Sequence, residues 1–214
     1  MELFHVCQPS YQSDRFWDAC YIETRKERSN CVGCLRPEFR FDSPYAIEWT
    51  RDRWSGRSQV VGDFIWPCFG GLTVTDRVKV ACELNGITGM SFHPVEAHSA
   101  SSGKKAGKPF LVDAPAIWCC KPSDAVHLDL KKSGRKVIDE CLVCGFIMCE
   151  VEPNASVVIV EANEYTLPDV FKVIEIPVLF CTGRLRNVIV ESGFTNVEVK
   201  RRGVVEQVKG VETL

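Results

Sequence analysis

The sequence predicts an α+β fold: a mixed sheet with few short helices, stapled by a four-cysteine zinc site. Three observations predict it. Short apolar or β-branched runs bounded by turn residues outnumber helical patterns. The longer helical patterns are two, 75–85 and 184–192, and each is followed by a glycine, Gly86 and Gly193. Two C-x-x-C knuckles, Cys31/Cys34 and Cys141/Cys144, stand far apart in the chain. The 214 residues are 45% hydrophobic and 25% charged, which supplies a core without disulfides and excludes disorder as the dominant state. A single domain over 1–214 is expected.

In chain order, Leu3 to Cys7 reads as an opening strand, and 11–30 as a polar, charged stretch in which Arg25 to Arg28 forms a solvated face. The first knuckle follows, with Gly33 allowing the tight turn that two thiolates on one metal require. From Phe39 to Trp66 aromatics alternate with charges, the pattern of strands with one buried face. The helix over 75–85 is followed by a strand from Ile87 to Phe92, and 99–109 is a loop of small residues and lysines. Phe110 to Cys119 and Val126 to Leu130 read as strands preceding the second knuckle. Val157 to Glu161 is a β-branched strand, Pro168 to Val173 one or two helical turns, and Val178 to Cys181 a strand. The second helix leads to a final strand, Phe194 to Arg201, and 203–214 is expected to fray.

The two helical units echo one another at an offset of 107 residues. Thr75-Asp76-Arg77-Val78 matches Thr182-Gly183-Arg184-Leu185, and Gly86-Ile87-Thr88 matches Gly193-Phe194-Thr195. The knuckles repeat at nearly the same interval, so pseudo-duplicated halves, about 1–110 and 111–214, are one reading; two common helix-to-strand turns are the other.

Structural zinc takes four tetrahedral ligands and favours thiolate, so two knuckles complete a closed site with no open position for substrate. Ordinary ribbons place their knuckles ~15–20 residues apart; here the site would join distant parts of the chain. Unmetallated thiol pairs, an iron–sulfur cluster and a redox dithiol are the alternatives. The redox reading is weakened because neither knuckle looks like a helix start. Eight further cysteines lie scattered, several in apolar runs, and read mostly as core thiols. His5, His93, His98 and His127 show no metal-protease spacing, and no nucleophile elbow or P-loop is present. A non-enzymatic protein is therefore expected.

The formal charge is −2, from 26 Lys and Arg against 28 Asp and Glu, which disfavours nucleic-acid binding by bulk charge. No apolar run approaches the ~20 residues that span a bilayer, and the N-terminus lacks a signal pattern, so a cytoplasmic location is expected.

The ordered pattern resembles the double-CXXCG motif proteins of bacteria, a family that includes immunity proteins against polymorphic toxins. The resemblance rests on the opening strand, the knuckle near residue 30, the Thr75 to Met90 segment, Cys141-Leu142-Val143-Cys144-Gly145, and the run through Asp169-Val170-Phe171-Lys172 to Gly193-Phe194-Thr195-Asn196-Val197-Glu198-Val199. It spans nearly the full length. Leu35 departs from it, standing where the family pattern has glycine. The resemblance implies metal binding at the four cysteines and neutralisation of a cognate toxin domain. Trp49, Arg53, Trp54, Arg57 and Trp66 are candidate partner-binding anchors if that segment is exposed. The same aromatics and arginines would serve a second reading, a zinc-ribbon-like nucleic-acid binder. A thiol-based enzyme is the third reading.

Overall fold

The computed structural model describes residues 1–9, 18–21, 26–35, 37–41, 45–50, 60–68, 72–98, 115–153, 158–161 and 167–206. Its first half runs β1 (Glu2–Cys7), β2 (Asp18–Tyr21), β3 (Lys26–Asn30), β4 (Pro37–Phe41), β5 (Tyr45–Thr50), β6 (Phe64–Ile65), β7 (Pro67–Cys68), β8 (Leu72–Thr75), α1 (Asp76–Leu84) and β9 (Met90–His98). The second half runs β10 (Ile117–Pro122), β11 (Ala125–Val126), β12 (Arg135–Glu140), β13 (Ile147–Val151), β14 (Val158–Glu161), β15 (Val170–Val173), β16 (Ile176–Thr182), α2 (Gly183–Glu191) and β17 (Glu198–Glu206). The fold is α+β, with mixed sheets and two short helices among the described residues.

The two halves follow one plan. One sheet contains the order β6-β8-β10-β9-β5, and the other contains β15-β16-β1-β17-β14. In each, the last pair is parallel, and the central strand is antiparallel to both neighbours. The central strand of each sheet is the first described strand of the opposite half: β10 lies between β8 and β9, and β1 between β16 and β17. The halves are thus interlocked by exchange of their first strands. Each half also carries a two-stranded hairpin outside the sheets, β3–β4 and β12–β13.

Alternation along the strands divides the apolar residues between faces. Phe64 and Val170 enter the main core, while their neighbours Ile65 and Phe171 enter smaller clusters. The main core draws on both halves, including Phe4, Val6, Val78, Cys82, Cys120, Cys181, Leu185 and Val188. Helical spacing supplies Val78 and Cys82 from α1, and Leu185, Val188 and Ile189 from α2. Both helices end in left-handed glycines, Gly86 at φ +58° and Gly193 at φ +60°, with the amide of the next residue bonded back to Cys82 and to Ile189.

Two buried carboxylates tie the halves together in matching fashion. Asp63 Oδ2 accepts hydrogen bonds from Arg77 and from the amide and hydroxyl of Thr195, each at 2.9 Å, while Oδ1 accepts from Thr75 at 3.3 Å. Asp169 Oδ2 accepts from Arg184 at 3.3 Å and from the amide and hydroxyl of Thr88 at 3.0 and 3.2 Å, while Oδ1 accepts from Thr182 at 2.8 Å. Each Asp therefore binds the T-x-R segment of its own half and the threonine after the helix of the other. Thr75 and Thr182 precede the helices, yet their hydroxyls serve these carboxylates rather than capping the helix N-termini. The shared T-x-R and G-x-T echoes are the parts of these two clamps.

Several local expectations are corrected. Pro168 to Val173 is no helix: Val170 to Val173 form β15, because Val170 and Phe171 fill opposite faces of a sheet. The strand after α1 begins at Met90, since Gly89 still turns the chain at φ +85°. Of the strand expected over 126–130, only Val126 lies in an observed strand, β11; Asp129 Oδ1 instead accepts the Lys132 amide in a turn. The last strand reaches Glu206, with Val205 buried and its amide bonded to the Met1 carbonyl. Strands β2 and β3 lie within the stretch read as merely polar. The loop expected at 99–109, the first part of the 110–119 strand and the tail from 207 lie outside the described residues.

Candidate metal centre

Each knuckle is the turn of a hairpin. Cys31 to Cys34 connects β3 to β4, and Cys141 to Cys144 connects β12 to β13. The two turns are built alike: the Leu35 amide bonds the Cys31 carbonyl at 2.8 Å, and the Gly145 amide bonds the Cys141 carbonyl at 2.8 Å. The residue closing each turn is left-handed, Leu35 at φ +58° and Gly145 at φ +68°. Leucine thus holds the glycine conformation, at the cost of Cβ crowding.

The hairpins bring the knuckles together across 110 residues of chain. Sγ of Cys31 lies 3.6 Å from Sγ of Cys141, and Sγ of Cys34 lies 3.7 Å from Sγ of Cys144. All four sulfurs lie within 4.8 Å of one another. Four thiolates about 2.3 Å from one tetrahedral ion stand about 3.8 Å apart, so this spacing suits a single ion. A polynuclear cluster distributes its thiolates over separate irons and needs a wider arrangement. The four cysteines can therefore hold one metal ion. Cys31 and Cys141 are buried, and Cys34 and Cys144 are exposed.

Gly33 has a different role from the one its sequence suggests. It has no left-handed φ, and the second knuckle makes the same turn with Val143 in its place. What Gly33 provides is space. A Cβ there would lie 2.8 Å from Val143 Cγ2 and 2.9 Å from Cys141 Sγ. The two turns approach closely because one presents a hydrogen where the other presents an isopropyl group.

Without a metal, four adjacent thiols cannot all ionise. Hydrogen bonds from the amides of Cys144 and Val143 pull the Cys141 thiol down to about 7. The Phe146 amide pulls Cys144 the same way, but local desolvation and the neighbouring thiols outweigh it and push that thiol up to about 12. A bound cation reverses this repulsion and holds all four as thiolates.

The candidate partner-binding residues fall elsewhere. Trp49 is 1% exposed and packs with Ile47, Ile65 and Ile117, so it offers no face to a partner. Trp66 is half-buried against the main core, and its indole N–H donates to the Asn196 carbonyl at 2.7 Å. Both tryptophans are built into the fold. Arg53, Trp54 and Arg57 lie outside the described residues. The knuckle turns, in contrast, expose Val32, Leu35, Leu142 and Val143. Sequence reasoning missed this apex because it treated the residues between the cysteines only as turn formers.

Of the scattered cysteines, Cys82, Cys119, Cys120 and Cys181 are buried, and Cys7 and Cys149 are half-buried. His127 bonds Glu175 at 2.8 Å and His93 bonds Ser91 at 3.0 Å. The four-cysteine group is the one cluster of metal-ligating side chains found among the described residues. No helix among them is long and apolar enough to cross a membrane.

No family model matches this chain, and no curated protein matches it.

Proposed function

We propose that this chain is a non-enzymatic, zinc-stapled immunity protein that binds and neutralises a cognate bacterial toxin in the cytoplasm. The observation that carries the metal part is the four-sulfur cluster with its 3.6 and 3.7 Å contacts. Thiolate donors and near-tetrahedral spacing favour zinc, and four protein ligands leave it no position for a reacting water. Zinc here serves as a staple between the two hairpins.

The partner follows from the resemblance to the double-CXXCG proteins. Blocking a toxin needs a rigid complementary surface rather than reacting groups. The exposed apolar side chains at the knuckle apex support this reading, since such a group gains most from being covered. The burial of Trp49 and the internal bond of Trp66 remove two aromatics from any nucleic-acid stacking surface.

The test has two readings. Purified protein is expected to carry about one zinc per chain by elemental analysis, and Cys141→Ser to lose it; metal retained in that variant would place the site elsewhere. Tagged protein is expected to capture the toxin domain encoded beside its gene at low salt and at ~0.5 M salt, where surface electrostatics are screened. Absence of capture at both salts would overturn the immunity reading.

A further inference from the structure

We propose that Cys34 and Cys144 are a peroxide-sensitive pair, whose oxidation joins the two hairpins by a disulfide and releases the metal. The proposal rests on the zinc reading, because the bound ion is what is released and what holds the outer sulfurs as thiolates; which sulfurs pair rests on the geometry of the four.

Two observations carry it. The four ligands divide by accessibility: Cys31 and Cys141 are buried, and Cys34 and Cys144 are exposed. An oxidant in solvent therefore meets the outer two sulfurs first. Those two are also cross-hairpin neighbours, with sulfurs 3.7 Å apart. Side-chain rotation with a small closing movement of the two turns would bring them to the ~2.05 Å of a disulfide. The turns are the free ends of two-stranded hairpins that stand outside the large sheets, so this movement disturbs no sheet pairing.

The chemistry balances with peroxide as the oxidant. One outer thiolate attacks a peroxide oxygen, the O–O bond breaks, and a sulfenic acid and hydroxide form. The other thiolate attacks that sulfur, the S–O bond breaks, and a second hydroxide leaves as the S–S bond forms. Two thiolates are oxidised by two electrons, and one peroxide is reduced to two hydroxides. The site has then lost two of its four donors, and the remaining pair, Cys31 and Cys141, cannot retain the ion alone. The new bond spans the same 110 residues that the metal spanned. One staple replaces another, so the hairpins stay together when the metal departs.

The experiment uses the full-length protein as purified. It is treated with hydrogen peroxide in the presence of a colorimetric zinc chelator, remaining thiols are alkylated, and tryptic peptides are mapped by mass. The expected result is one zinc released per chain, a disulfide joining Cys34 to Cys144, and alkylated Cys31 and Cys141. A dithiol reductant should then restore zinc binding. Disulfides within the knuckles, Cys31 to Cys34 or Cys141 to Cys144, would overturn the proposal, as would resistance of all four thiols to peroxide. If the protein carries no zinc as purified, the zinc reading fails while the peptide map still decides the pairing.

Discussion

Burial pushes the thiols of Cys82 and Cys181 up to about 12, and the Asp169 carboxylate adds to the shift at both. An acid whose folded pKa is raised keeps its proton in the folded state after the unfolded chain has lost it. Stability is then unaffected below the unfolded value near 9 and falls as pH rises from there toward 12, by up to ~1.4 kcal/mol per pH unit for each thiol. Denaturant midpoints of the wild type should therefore drop between pH 9 and 10.5 more steeply than those of a Cys181→Ala variant. Equal slopes would show that Cys181 is not held protonated by the fold. A second residue works through the backbone alone. Leu35 occupies the left-handed conformation that Gly145 occupies in the other knuckle. Leu35→Gly should stabilise the protein by up to ~1 kcal/mol in the same denaturant assay, because the cost of a left-handed Cβ disappears; a loss of stability would mean that the Leu35 side chain has a packing role. At this scale the sequence was informative about chemical type. Cysteines in apolar runs did prove buried at 82, 119, 120 and 181. Burial of Trp49 was not legible, because an aromatic alternating with charges looks the same on either face of a strand until its sheet has a covered side.

At the scale of elements, the two knuckle hairpins fit through a size difference. Gly33 of one turn faces Val143 of the other, and nothing larger than hydrogen fits at Gly33 without displacing Val143 or Cys141 Sγ. Gly33→Ala should therefore weaken metal binding by about tenfold or more, the usual penalty for misplacing a ligand's support. Competition against a chelator of known affinity measures it. Adding Val143→Gly in the same chain should recover part of the loss, since the closest contact is removed; no recovery would place the strain on Cys141 alone. The helices and their ends were legible because apolar spacing and a terminal glycine are local signals. Pro168 to Val173 was misread because a proline followed by Asp and β-branched residues suits either a turn or a strand entry. Pairing with β16 and the bonds to the Asp169 carboxylate decide it for the strand. The meeting of the knuckles was anticipated from ligand chemistry, which requires four donors where each motif supplies two.

Across the whole molecule, the repeated T-x-R and G-x-T segments were visible as an echo in the sequence, but the exchange of first strands was not. Local periodicity shows that Leu3 to Cys7 is a strand; which neighbours it finds is set by long-range packing. The consequence is a molecule that should not come apart where its chain is cut. Strand β9 ends at His98 and β10 starts at Ile117, so the connection between the halves lies in the interval between them. Separating the halves would pull β1 from between β16 and β17, and β10 from between β8 and β9. It would also break the bonds of Asp63 to Thr195 and of Asp169 to Thr88, and expose a core to which both halves contribute. A metal held by the four cysteines would join only the hairpins, so its removal would leave these contacts in place. A protease site inserted between residues 103 and 107 and then cleaved should therefore leave the two fragments eluting together at the size of the intact chain, with or without a zinc chelator. Denaturant strong enough to unfold the sheets should be needed to separate them. Two half-size species after cleavage in native buffer would show that the exchanged strands contribute less than the covalent connection; separation only with chelator present would shift the main link between the halves from the sheets to the metal.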